Sequence, residues 1–326
     1  MPGSFVISLD LEKHWGVFDH CAPDDAYWPN LLGVSSAVPR LLKTFEDRQI
    51  HATWATVGLL FAESRQQQEA WRPKVLPVYA RQKLDPYRVN VGPDEKTDPV
   101  HFARSLIELI AKTKGQEIST HTFAHIYMAE KGMTDEAISS DLESAKLAAS
   151  SMGIQIKSIV YPRNQVTSSA IRLLSQAGIL CYRGNPTYGP YLARPGDNRY
   201  QTRVARLMDA YVGSPSAPTQ SWSEVMEPGD MANVRSGHFL RPYSKVFAPF
   251  LPIQIQRITR CIEHAAQSGS IYHLWWHPHN FGRHLDRNME ILDQILTEFD
   301  RCRSKYGMQS MNMIEAANAA RSGGPS

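Results

Sequence analysis

Cysteine is scarce: the 326 residues hold four, Cys21, Cys181, Cys261 and Cys302, widely separated and with no CxxC pair. That spacing argues against a thiolate zinc site, a redox dithiol or a dense disulfide framework, and reduced structural thiols are expected. Long hydrophobic runs are also missing. No stretch approaches the roughly 20 apolar residues needed to span a bilayer, because the longest candidates carry His, Arg or Glu. An excess of one charge is absent too. Lys+Arg 35 against Asp+Glu 32 leaves a formal charge of +3, and no basic run concentrates it, which disfavours nucleic acid as a partner. The opening MPGSFVISLD has no basic segment, long apolar segment or small-residue cleavage site, so a cytoplasmic location is expected. What is present is an ordinary globular composition, 42% hydrophobic and 21% charged. The length suits either two domains or one α/β barrel carrying an insertion.

Short apolar, β-rich runs recur at 5–11, 51–61, 117–123, 158–164, 179–185 and 270–280, and each reads as a strand. Between several of them, at 34–48, 98–115, 134–153 and 168–178, apolar residues return every three or four positions. Asp98, Thr134 and Ser168 are candidate helix caps, and Gly115, Gly153 and Gly178 follow the last turns. This alternation predicts parallel β/α units. It breaks over 186–250, a span rich in Pro, Gly and Ser that we read as an insertion lying over one end of the fold rather than forming a second core. The expected organisation is one domain over 1–320 followed by a loose tail at 321–326.

Polar groups collect where the predicted strands end. FVISL runs into Asp10 and Glu12, EIST into His121 and His125, SIVYP into Arg163, ILCY into Arg183 and Asn185, and YHLWW into His277 and His279. In parallel α/β barrels the reacting groups come from the carboxyl ends of several strands, so one shared site is expected there.

His121 and His125 can present both imidazoles on one side of a helical turn, close enough for one divalent ion to bridge, although Thr120 and Thr122 around His121 point to a cap rather than mid-helix. A catalytic zinc site usually adds a third ligand and keeps a position for water. Asp10 and Glu12 offer that ligand, since residues two apart in an extended segment point the same way. One could bind metal while the other takes a proton from water; a solvated pair at a strand end would look the same.

The motifs ISLDLE, STHTFAH, YPRN and HLWWHPHNFG, in this order, resemble the polysaccharide deacetylase (NodB-homology) family of metal-dependent carbohydrate esterases and amidases. The aspartate–x–glutamate spacing is similar to that of its peptidoglycan and exopolysaccharide deacetylase branches. The resemblance implies an α/β fold, an irregular (β/α) barrel with a long insertion before the last strands. It implies Asp10 as catalytic base and Glu12, His121 and His125 as ligands of a divalent metal, Zn2+ above others, with exchange of the Asp10 and Glu12 roles left open. YPRN departs from the family's usual arginine–x–proline order, and Arg163 is expected to steady the base or bind substrate. His277, followed by Pro278, matches the late histidine that protonates the leaving group, with His279 its nearest competitor.

The implied reaction is removal of an N-acetyl group from an amino sugar, with backbone N–H groups near Tyr161 helping to hold the oxyanion. Trp15, Trp275, Trp276 and Tyr182 are candidates to stack on sugar, with core packing the competing role and the favoured one for Trp275 and Trp276. Arg183, Asn185, Arg241 and Tyr243 are candidates to read sugar hydroxyls or a nucleotide phosphate. A cytoplasmic enzyme would meet a nucleotide- or lipid-linked glycan intermediate. Two other readings are an amidohydrolase of a small amide on the same fold and a carbohydrate-binding relative without catalysis. Nothing in the sequence bears on oligomeric state.

Overall fold

The first strand, β1 (Ser4–Leu11), is buried along its whole length and explains much of the architecture. A strand covered on both faces reads as a near-continuous apolar run, as FVISLDL does. In the computed structural model, which describes residues 2–187, 218–227 and 230–323, β1 pairs in parallel with β2 (Ala52–Thr56) and β8 (Ile271–Trp276). From β2 the sheet continues through β3 (Gln116–Thr120), β4 (Ser158–Val160), β5 (Cys181–Arg183) and β7 (Ala232–Asn233). On the other side β6 (Thr219–Gln220) pairs antiparallel with β8, and β9 (Gln309–Met311) adds to the start of β1. The fold is the α/β, NodB-type (β/α) barrel expected.

Alternate residues along β1 divide between two environments. Phe5, Ile7, Leu9 and Leu11 join the large core beneath the surrounding helices, which include Val34–Asp47, Arg104–Lys112 and Asp135–Ser150. Val6, Ser8 and Asp10 face inward. Val6 packs with Val160, Cys181 and Ile271 from other strands and with Val234 just after β7, and the helix Met313–Arg321 covers this apolar floor with Met313, Ala316 and Ala317. Above the floor the lining becomes polar, through Ser8, His273 and Arg183 and then Asp10, so the functional groups lie at the carboxyl ends of the strands.

Several boundaries differ from the sequence expectation. The strand expected over 51–61 stops at Thr56, and Gly58–Phe61 forms a short 3-10 turn. A Cβ on Gly58 would lie 2.6 Å from the Phe123 ring, so only glycine allows this turn to approach so closely. The helix expected from Asp98 begins at Arg104, because the Asp98 carboxylate accepts from Gly92 N–H and pairs with His101 instead of capping. Thr134 does cap its helix, whereas Thr167, not Ser168, caps the next.

Of the expected insertion, residues 188–217 and 228–229 lie outside the described residues, as do 324–326 of the expected tail. The part from 230 to 240 is not draped over one end. Ala232 and Val234 donate to Leu180 and Tyr182 carbonyls on the β5 side, while Gly237 and Leu240 donate to His273 and Trp275 carbonyls on β8. This segment thus links the two ends of the sheet, with Met231, Ala232, Val234 and Leu240 buried. Two-residue strands carry no alternation long enough to be recognised in sequence.

Candidate active site

β1 ends by delivering two carboxylates to the barrel mouth. Beyond Asp10 and Leu11 the chain turns into the 3-10 segment Lys13–Gly16, and Glu12 folds against it. A Cβ on Gly16 would lie 2.0 Å from the Glu12 carboxyl, so this glycine makes room for the acid. Both carboxylates are buried. A cleft of about 530 Å3 opens over them, lined also by His121, His125, Arg163, Trp275, His277 and His279.

His121 and His125 converge on Glu12. Their Nε2 atoms lie 3.2 and 3.1 Å from one Glu12 oxygen, Oε2. The segment carrying them is a tight turn rather than the helical turn considered from the spacing: Thr122 and His125 have φ of 65° and 54°. That left-handed backbone is held from behind by Asp141, whose carboxylate accepts from Phe123 N–H at 2.7 Å and Ala124 N–H at 3.2 Å. Burial pushes the Asp141 carboxyl up to about 7 despite these two donors.

The proton arrangement favours a cation. His121 Nδ1 donates to the Val160 carbonyl at 2.8 Å, which leaves the Nε2 lone pair of the neutral ring facing a carboxylate oxygen. Two acceptors at that distance need a shared proton or a metal ion. Burial would raise the Glu12 pKa, but His277, His121 and His125 around it hold the carboxyl well below its ordinary value. Burial lowers that of His125, against the opposing pull of the Glu12 carboxylate. Its Nδ1 is buried with no hydrogen-bond partner among the described residues. Neutral imidazoles facing an ionised carboxylate are the donor set a divalent ion takes, and the three ligand atoms all lie within 4.8 Å of one another. The residues therefore fit the expected metal.

Asp10 is held differently. Arg183 grips both of its oxygens, each at 2.7 Å, and also donates to Ser8 Oγ at 2.9 Å. Ser8 Oγ lies 2.8 Å from His273 Nε2, and His273 Nδ1 faces the Val234 carbonyl, so a chain of polar groups runs down the interior. The Trp275 ring lies 4.2 Å from the guanidinium carbon. Burial would raise the Asp10 pKa, but Arg183, followed by His121 and His277, keeps it below the ordinary value. Across the cleft, His277 Nε2 stands 3.7 Å from Asp10 Oδ2 and 3.5 Å from Glu12 Oε1. Its Nδ1 bonds Asn280 Oδ1 at 3.1 Å, and the Asn280 amide donates to Tyr27 Oη.

Other sequence candidates occupy different places. Arg163 does not touch Asp10; it pairs with Asp19 at 2.6 Å and lies over the Tyr127 ring. Arg183, read as a substrate contact, is buried and supplies the grip on Asp10. Trp15, a candidate to stack on sugar, is 2% exposed and donates its indole N–H to the His101 carbonyl in the core. Asn185 is exposed and not itself in the cleft lining; it donates to the carbonyl of Asn164, which is. Tyr161 and Tyr182 are buried against each other. Trp276 is a core residue, whereas Trp275 reaches the cleft. Tyr243 uses its backbone N–H on Asn288, and the Arg241 guanidinium faces the Phe239 ring. All four cysteines are buried free thiols.

Sequence reasoning missed Asp141 and a buried chain from Asp98 through His101 and His14 to the Cys21 carbonyl on the cleft wall. The only signal for Asp141 was an acidic residue among the small and apolar residues that its helix buries; for the chain there was none.

A family model described as polysaccharide deacetylase matches residues 18–182, 165 of the 326. That span contains both histidines of the turn after β3, while Asp10, Glu12 and His277 lie outside it. Among solved structures, a putative polysaccharide deacetylase from Mycobacterium smegmatis is similar at TM-score 0.60 and 13% identity, with 99% of this chain and 92% of that one covered. A probable polysaccharide deacetylase from Pseudomonas aeruginosa PAO1 follows at 0.55 and 12%, with 97% and 89% covered. Puue allantoinase gives 0.57 and 11%, with the same coverages of 97% and 89%. At these identities the likeness is one of fold. No curated protein matches the sequence.

Proposed function

The chain belongs to the polysaccharide deacetylase family, and from that premise we propose that it is a metal-dependent hydrolase that removes an N-acetyl group from an amino sugar. The observation that carries this reading is the convergence of the His121 and His125 Nε2 atoms on Glu12 Oε2, with Asp10 beside them in the grip of Arg183.

Glu12, His121 and His125 would hold the ion, most readily Zn2+; when bound, it would supply Lewis acidity, lowering the pKa of water toward roughly 7 and polarising the acetyl carbonyl. Asp10 accepts the proton of the attacking water. Arg183 keeps that carboxylate ionised and aimed, because a bidentate guanidinium leaves it little rotational freedom. His277 stands on the opposite side of the carboxylates and protonates the departing nitrogen, which is a poor leaving group as an amide anion. Backbone N–H groups at the end of β4, near Tyr161, are the further donors we assign to the oxyanion. The products are acetate and a free amino sugar.

Tyr27, Phe239 and Trp275 line the same cleft and offer ring faces to a sugar. His279, also on its wall, is within reach of the same ligand. A cleft of about 530 Å3 suits a compact sugar unit; the substrate in this reading is a nucleotide- or lipid-linked precursor. Among the described residues no helix is long and apolar enough to cross a membrane.

The test is release of acetate from N-acetylated nucleotide sugars, chito-oligosaccharides and a set of small amides. Acetate and free amine should appear in equal amounts from sugars, disappear on chelation and return with Zn2+. Turnover confined to small amides would overturn the substrate, and turnover in a metal-stripped preparation would overturn the mechanism. His277→Ala should slow amide cleavage by about 10²–10⁴-fold and cleavage of an activated ester far less, since the ester has little need of an acid. Equal losses on both would assign His277 a structural role.

A further inference from the structure

Glu12 uses only one oxygen on the histidines of the β3 turn. Its other oxygen, Oε1, faces a second imidazole pair, with His277 Nε2 at 3.5 Å and His279 Nε2 at 3.9 Å. These three atoms also lie within 4.8 Å of one another. Tetrahedral ligands about 2.0–2.1 Å from a zinc ion stand about 3.4 Å apart, so the spacing of this second set is near that of a coordination shell.

The tautomers agree. His277 Nδ1 bonds the Asn280 side-chain oxygen, so Nε2 is the ring nitrogen left to face the Glu12 carboxylate and to take an ion. His279 is buried, and its Nδ1 has no hydrogen-bond partner among the described residues. The two rings are stacked, 9° from parallel with centroids 4.9 Å apart, and they come from one short segment, the end of β8 and the helical turn Pro278–Phe281.

We propose that Glu12 is a bridging carboxylate between two cation sites, and that a second divalent ion on Glu12 Oε1, His277 Nε2 and His279 Nε2 inhibits the enzyme. Inhibition follows from occupancy: the ion holds the nitrogen that would carry the proton to the leaving amine. This rests on the reading of His277 as the acid; the second site itself rests on geometry alone. The first ion, bound by two imidazoles and a carboxylate oxygen at closer spacing, is the tighter one.

The experiment is zinc titration of the full chain, followed by native mass spectrometry, for the wild type and His279→Gln. The wild type should hold one ion through dialysis and take up a second as zinc is raised, whereas His279→Gln should stop at one. Excess zinc should slow the wild type at least tenfold relative to its own rate with one ion, and His279→Gln less than twofold relative to its own. Anomalous scattering from wild-type crystals in excess zinc, which needs no variant, should give two peaks flanking Glu12. Saturation at one ion, or a single peak on the histidines of the β3 turn, would overturn the second site and leave the proposed function standing. Two ions bound with no loss of rate would overturn inhibition. A chain that binds no zinc at all would overturn both.

Discussion

β4 and β5 are neighbouring strands with an arginine at the end of one, Arg183, and in the turn after the other, Arg163, but the two arginines do different work. Arg183 points into the barrel, is buried, and takes both oxygens of Asp10. Arg163 lies three residues beyond β4, in the turn Pro162–Asn164 at φ 53°, and turns at the cleft rim to Asp19 and the Tyr127 ring. The family-like motif marks Arg163, while the geometry gives the carboxylate to Arg183. In a barrel a charge can be supplied from either of two adjacent strand ends. What decides is that Arg183 stands on its strand, at an inward position of the pleat, whereas the paired position of β4 is Val160 and Arg163 comes only in the turn beyond it.

Breaking the buried arm should cost most. Arg183→Ala leaves an unpaired carboxylate inside the barrel, which should destabilise the fold by about 3–5 kcal/mol and lower kcat by about 10²-fold or more through a displaced Asp10. Thermal unfolding and steady-state kinetics read the two effects. Arg183→Lys keeps the charge without the fork and should recover stability more than turnover. Unaltered kcat in both variants would return the role to Arg163.

The turn after β3 gives an intermediate effect with a pH signature. The Asp141 pKa is raised to about 7 in the fold, above an unfolded value of about 3.9. Its stabilising contribution is therefore full below about pH 4 and lost as pH rises through about 7. Asp141→Asn removes this titration. Between pH 5 and 7 the wild type should lose on the order of 2 kcal/mol relative to Asp141→Asn, measured as the difference in denaturant midpoints. A constant difference across that range would place the carboxyl's pKa near its ordinary value. The exposed arm should matter least. Arg163→Ala breaks a pair at the cleft rim and should change stability by less than about 1 kcal/mol and leave the rate nearly unchanged; a loss as large as that of Arg183→Ala would erase the contrast.

The sequence made the fold class legible because β1 to β5 alternate with amphipathic helices, and it marked the cleft because Asp10, Glu12, His121, His125, His277 and His279 all stand at strand ends. These six positions do line one cleft. What it could not convey depends on contacts between distant segments. The turn at 121–125 takes its shape from Asp141, on the following helix. Trp15 is drawn into the core by the His101 carbonyl, and the stretch from 230 to 240 joins the sheet through hydrogen bonds made two residues at a time. None of these leaves a periodic trace.

The division of labour between the first two acids is the claim on which the chemistry turns, and metal content of purified Asp10→Asn and Glu12→Gln tests it most directly. Asp10→Asn should keep the wild-type ion content with turnover abolished, and Glu12→Gln should lose the ion. An empty Asp10→Asn beside a fully loaded Glu12→Gln would reverse the two roles and contradict the account.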